Sequence, residues 1–299
     1  MQTLQRFAVN PGASGNHAHH LVSSRRHGRL PRVWKNFLSL IESTSSSAAL
    51  AQKYGCCHEV VGHGAFGTVR VSHKKMEDGA GEKLYAVKQL RRRRKETEMG
   101  HRKRLIAEFC IAGALRHPNT VHTIDLLPCE KGSYCGVMEF CDGGDLYSLI
   151  RSAGKLQVQE ADCFFKQMMR GIEYMHDMGV AHLDLKPENL LLTPHGVVKI
   201  SDFGHSHCFR LAWESDVTMV SGPRGSMPYV APEAYANKEF DARGVDIWAC
   251  GIIYMVMRTG RFLWDVADRK NEYYSRYLED RRKEEGYEPI EALHRVSSV

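Results

Sequence analysis

The sequence predicts an α+β chain of two unlike lobes: a small antiparallel sheet with one key helix, then a larger and mainly helical half. Two observations carry this. Short β-branched runs at residues 59–61, 68–71, 85–89, 121–127 and 134–139 alternate with turn signals such as Glu77-Asp78-Gly79. Beyond Gly143-Gly144 the apolar residues recur at helical spacing over 146–152, 157–178 and 245–258. Strands first and helices later imply segregated lobes rather than a parallel sheet. One helix, at 104–115, sits among the strands.

The 299 residues suffice for one two-lobed domain, and 43% apolar content supplies a core. No run approaches the roughly eighteen apolar residues of a membrane span, and the N-terminus lacks the apolar stretch of a secretory signal. Nine cysteines are present without a C-x-x-C pair or metal-ligand spacing, and they read as reduced packing residues of a cytosolic protein. Net charge is +6 and uneven. Arg6, Arg25, Arg26, Arg29, Arg32 and Lys35 precede the first acid, Glu42, and without these six the chain balances 35 basic against 35 acidic residues.

Residues 1–53 therefore read as a basic, Ser- and His-rich arm, largely disordered, with a short helix over 34–41. A solvated tail is the plain interpretation. Contact with an anionic membrane surface or an acidic partner is the sharper one, and an acid-free start also permits a mitochondrial presequence. His17, His19, His20 and His27 lack a regular ligand spacing, which argues against zinc. Residues 54–299 form the folded domain, with an N-lobe at 54–141 and a C-lobe at 142–299.

Gly62-His63-Gly64-Ala65-Phe66-Gly67-Thr68-Val69 is a G-x-G-x-x-G-x-V segment. Glycines let backbone approach phosphate oxygens without a side-chain clash. A dinucleotide fingerprint requires a helix next. Residues 68–71 continue as a strand instead, which favours a hairpin lid. Tyr85-Ala86-Val87-Lys88 then places a lysine on an apolar strand, where it is costly unless paired. Glu108 shares helical spacing with Leu105, Ile111, Ala112 and Leu115, so it faces the sheet and can pair with Lys88. Between them, Arg91-Arg92-Arg93-Arg94-Lys95 reads as a solvated loop, or as a docking or nuclear-localisation patch.

His182-Leu183-Asp184-Leu185-Lys186-Pro187-Glu188-Asn189, Ser201-Asp202-Phe203-Gly204, Ala231-Pro232-Glu233 and Asp246-Ile247-Trp248-Ala249-Cys250-Gly251 follow in order. Together with the glycine segment they resemble the protein kinase family over residues 57–260. The resemblance implies the bilobal kinase fold and ATP and Mg²⁺ as cofactors. It implies Asp184 as the proton acceptor from a substrate hydroxyl and Lys186 as the neutraliser of the γ-phosphate. Asn189 and Asp202 are the implied metal ligands, and Lys88, held by Glu108, grips the α- and β-phosphates. Gly62, His63, Gly64, Ala65, Phe66, Gly67, Val69 and Ala86 fall in the nucleotide site. Met138 becomes the gatekeeper, and Glu139 to Cys141 the segment whose backbone bonds adenine. Lys186 looks like the serine/threonine type. Asp145 and Glu188 match acidic positions that select basic substrates, whereas Val256 occupies the third such position.

Two departures matter. Leu183 stands where the family carries an arginine that pairs with an activation-segment phosphate, and leucine cannot make that pair. Activity without phosphate at Thr218 or Ser221 is the expectation. Ser226 occupies a threonine position beside the base and is expected to bond Asp184 and Lys186. The chain stops at Val299, where relatives continue with further helices, so Glu233 is expected to lack its arginine partner and the helical lobe to be incomplete.

The segments at 202–210 and 248–260, with Tyr287-Glu288-Pro289-Ile290, resemble the fungal halotolerance and nitrogen-permease-reactivator kinases. That likeness implies regulation of plasma-membrane potassium and nutrient transporters. The expectation is a cytoplasmic monomer, with peripheral plasma-membrane contact open and no nucleic-acid partner. Phosphorylation of protein Ser/Thr, with a mild preference for nearby basic residues, is the expected activity. The alternatives are a pseudokinase scaffold or an inactive fragment.

Overall fold

The computed structural model describes residues 47–280, apart from 65–66, 77–78, 80, 93–95, 130–132 and 237–238. The short helix expected at 34–41, most of the basic arm, Arg93 to Lys95 and the last 19 residues lie outside the described residues. The chain divides into two compact units at the Cys141–Asp142 junction.

The first unit is built on a five-stranded antiparallel sheet of order β1-β2-β3-β5-β4. Its strands are β1 (Cys56–Gly64), β2 (Gly67–Lys75), β3 (Glu82–Leu90), β4 (Thr123–Pro128) and β5 (Tyr134–Glu139). Alternation sorts the side chains to two faces. On one face Leu90, Leu126 and Tyr134 pack with Leu105 and Ile106 of helix α2 (Glu98–Ala114). On the other, Val87, Leu127, Cys135 and Val137 pack with Leu50 and Tyr54 of helix α1 (Ser47–Tyr54).

Two boundaries differ from the sequence expectation. The folded unit was expected to begin at Tyr54, but α1 extends it back to Ser47. Leu50 and Tyr54 are the large apolar residues of this alanine-rich stretch, too few to mark a helix by periodicity. Polar contacts complete the attachment: Tyr54 Oη donates to Asp125 Oδ2 at 3.0 Å and Lys53 Nζ to the same oxygen at 2.6 Å. Helix α2 starts six residues before 104 because Thr97 caps it, Oγ1 accepting from Gly100 N at 3.1 Å. Its first turns are polar, so the cap rather than the hydrophobic pattern sets the start.

The second unit is mainly helical, with α3 (Leu146–Ala153), α4 (Val158–Asp177), α5 (Glu233–Ala236), α6 (Ala242–Thr259) and α7 (Glu272–Asp280). Helices α4 and α6 form its centre. Tyr254 Oη donates to Asp162 Oδ1 at 2.7 Å, and Tyr254 meets Phe165 edge to face. Asp145 and Asp241 cap α3 and α6, and Gly260 ends α6 in the left-handed region at φ 70°. Short strands β6 (Val180–Ala181), β7 (Leu190–Leu192), β8 (Val198–Ile200) and β9 (His207–Cys208) pair as β6–β9 and β7–β8. Among the described residues no helix is long and apolar enough to cross a membrane. Glu233 opens α5 and is partly exposed.

Leu50→Ala should destabilise the first unit by about 2–4 kcal/mol, the usual cost of emptying a leucine site. Urea unfolding reads this directly. An unchanged midpoint would show that α1 is not part of the core.

Candidate active site

In the first unit, strand register assembles the residues expected at a nucleotide. Gly62 lies opposite Val69, Val69 opposite Lys88, and Ala86 opposite both Val71 and Met138. Val69, Ala86, Lys88 and Met138 therefore share one face of the sheet. Gly64 pairs with Gly67 as the hairpin closes, while Ala65 and Phe66 lie outside the described residues. Gly67 adopts φ 152°, and a Cβ there would stand 1.8 Å from the Gln89 carbonyl oxygen, so no side chain fits. Lys88 Nζ donates to Glu108 Oε1 at 3.3 Å, each side chain being only 11% exposed. Glu139 is tied at both ends to His122: its N–H donates to the His122 carbonyl, and its Oε1 accepts from His122 N at 2.7 Å. Cys141, the last residue of the unit, is buried.

In the second unit a buried carboxylate organises the loop at 182–189. Asp246, 1% exposed on α6, accepts from the backbone N–H of His182 and of Leu183, each at 2.8 Å, and stands 2.9 Å from His176 Nε2. These bonds hold Leu183 at φ 64°, a left-handed conformation that costs a leucine about 1–2 kcal/mol. The strain persists because Leu183 is also buried among Phe209, Val220, Val230, Phe240 and Val245. Gly225 stands against this bend, where a Cβ would lie 2.6 Å from the Leu183 carbonyl oxygen.

Asp184 follows the bend. Its N–H donates to His182 Nδ1 at 3.2 Å, and His182 Nε2 bonds the Ser201 carbonyl at 2.8 Å, which fixes the imidazole tautomer. Lys186 Nζ stands 3.3 Å from Asp184 Oδ2 and donates to Ser226 Oγ at 2.9 Å. Ser226 Oγ in turn donates to Asp184 Oδ1 at 3.0 Å, the bridge expected of it. His205 Nδ1 lies 3.5 Å from Asp184 Oδ2. Burial pushes the Asp184 carboxyl up, but His205, Lys186 and Ser226 together outweigh it and bring it down to about 2. The group is therefore an ionised acceptor at neutral pH.

Asn189 Nδ2 donates to the Asp184 carbonyl at 2.8 Å, leaving the amide oxygen as a donor atom toward a cation. Asp202, at φ 62°, is partly exposed. One amide and one carboxylate oxygen suit a hard divalent cation, and too few ligands for an all-protein cage suit a cation also held by phosphates. Among the described residues no cluster of three His, Cys, Asp or Glu forms such a cage. Glu188 is exposed, whereas Asp145 spends both oxygens on Ser148 as the cap of α3.

His205, Gly225 and His176 were not singled out from the sequence. His205 directly follows Asp-Phe-Gly, but its approach to Asp184 depends on the turn at Phe203–His205. The other two are visible only once the loop is folded.

A family model described as the protein kinase domain matches residues 57–298. The chain belongs to the protein kinase family. It is 51% identical to the serine/threonine-protein kinase hal4 of Schizosaccharomyces pombe, over 97% of this chain and 52% of that protein. It is 57% identical to HAL4/SAT4 of Saccharomyces cerevisiae, over 82% of this chain and 42% of the relative. Identity to HAL5 of Candida glabrata is 37%, over 83% and 36%. The chain thus spans about half or less of the length of these relatives.

Because the Asp184 carboxyl titrates near 2 when folded, against an ordinary 3.8, its partners contribute stability above about pH 4 that is lost as pH falls toward 2. Asp184→Asn should flatten the acid limb of the stability curve over that window, measured by thermal unfolding against pH. A variant that keeps the parent slope would show that the carboxylate is not held this way.

Proposed function

We propose that the chain is a serine/threonine protein kinase that transfers the γ-phosphate of ATP to protein hydroxyls with Mg²⁺ as cofactor. The observation that carries the reading is Asp184. A buried carboxylate kept ionised, bridged by Ser226 to Lys186 and set by a bend anchored on Asp246, is a ready acceptor for a hydroxyl proton. Lys186 offsets negative charge beside it, and Lys88, held by Glu108, grips the nucleotide phosphates. Asn189 and Asp202 would hold the cation, whose chemistry when bound is to neutralise phosphate charge.

Substrates with arginine or lysine before the acceptor are favoured chiefly by exposed Glu188, since Asp145 is committed to capping. The resemblance to the halotolerance group supports a role in fungal ion-homeostasis or nutrient-transporter signalling. The basic arm suits peripheral contact with an anionic membrane.

The test is radiolabelled transfer from Mg·ATP to a basic protein, comparing the parent with Asp202→Asn and Asp184→Ala. The parent should transfer phosphate, Asp202→Asn should not, and Asp184→Ala should lose about 10²–10⁴ in turnover. A folded parent that transfers nothing would refute the reading. In peptide arrays Glu188→Ala should weaken the basic preference, and an unchanged profile would remove Glu188 from substrate selection.

A further inference from the structure

The Lys88–Glu108 pair used in the nucleotide reading continues along helix α2 into further buried charges. Arg104 lies one helical turn before Glu108, on the same face. Its guanidinium grips Glu96 with two parallel bonds, Nε to Oε1 and Nη2 to Oε2, each 3.0 Å. Nη2 also donates to the Arg91 carbonyl at 3.1 Å and lies 3.0 Å from His101 Nδ1. Burial, then the Arg104 charge, push His101 below its ordinary value, so a neutral imidazole accepts that bond and the cation facing Glu96 here is Arg104. The remaining nitrogen, Nη1, stands 3.9 Å from Glu108 Oε2. Both atoms are buried without a hydrogen bond, while Glu108 Oε1 holds Lys88.

The four side chains alternate in sign, Lys88, Glu108, Arg104, Glu96, and none is more than 15% exposed. At such burial each charge acts strongly on the next. A carboxylate drawn at both oxygens cannot pivot. With Arg104 removed, Glu108 keeps only the Lys88 side and is free to turn about its own stem.

We propose that Arg104 is a positioning residue for nucleotide binding: clamped by Glu96, it fixes Glu108 and through it the Lys88 ammonium. The state of the loop before α2, which carries Glu96, is thereby coupled to the phosphate-gripping lysine. The proposal rests on the reading of Lys88 as that lysine.

The experiment measures kcat and KM for ATP and for peptide in the full chain. The set comprises the parent, Arg104→Gln, Arg104→Lys, Glu96→Gln, the double variant Arg104→Gln/Glu96→Gln, and Lys88→Met. Arg104→Gln should lower kcat/KM for ATP by about tenfold, the scale of a network coupling, with the peptide KM unchanged. Arg104→Lys, which keeps charge without the fork, should be intermediate, and it serves if the glutamine variant does not fold. Glu96→Gln should reproduce the defect, and the double variant should be no worse than either single one. Parent-like ATP kinetics in Arg104→Lys and Glu96→Gln would overturn the proposal. So would losses that add in the double variant and track a lowered Tm. Lys88→Met should be inactive. If it is inactive while Arg104→Gln is normal, Arg104 alone is wrongly assigned. If Lys88→Met keeps parent activity, the nucleotide reading itself fails.

Discussion

The second unit depends on the Asp246 carboxylate. Two consecutive backbone N–H groups and a histidine converge on it, and it is almost wholly removed from water. A buried charge tolerates that environment only when its lone pairs are satisfied, and this one is satisfied by the catalytic loop itself. The loop therefore cannot relax from its bend without stranding a charge. That constraint holds Leu183 in a conformation leucine avoids, and it delivers Asp184 to Lys186, Ser226 and His205. The depressed carboxyl is a downstream result of the same geometry.

The second anchor of the bend is apolar. Leu183 sits in a cluster with Phe209 and Val220, and Val220 exchanges two backbone bonds of 2.9 Å with Phe240. The guanidinium of Arg243 stands over the Phe209 ring at 5.4 Å, clamped by Asp241. Thr218 and Ser221 flank buried Val220 and are themselves exposed. The segment is thus pinned by packing at Val220, between these two hydroxyls. Leucine at 183 is consistent with that arrangement, since a cation there would be buried without a partner.

Part of this was legible in the sequence, from hydrophobic spacing and from the family resemblance. Gly67 admits no side chain because the Gln89 carbonyl fills the space, a reason the glycine spacing alone did not show. The Lys88–Glu108 pair followed from a lysine on an apolar strand and an acid on the inward face of a helix. The Ser226 bridge was implied by the family resemblance, in which its position lies beside the base. Helix α1 did not show, because two large apolar anchors in a short alanine-rich stretch leave no periodic signal and its polar attachment is to Asp125, 71 residues beyond Tyr54. Arg104 and His205 were missed for the same reason. Their partners are set by a cap and a turn, and a charged residue on a helix or after a motif reads as solvated until that geometry is known.

We propose that the loop carrying Asp184, held from within by Asp246 and the Leu183 cluster, needs no phosphate on the activation segment. The most direct measurement is Mg·ATP-dependent phosphotransfer by the chain before and after complete phosphatase treatment, with the phosphatase removed. Unchanged turnover is the predicted result. Loss of most activity, restored by rephosphorylation at Thr218 or Ser221, would contradict it.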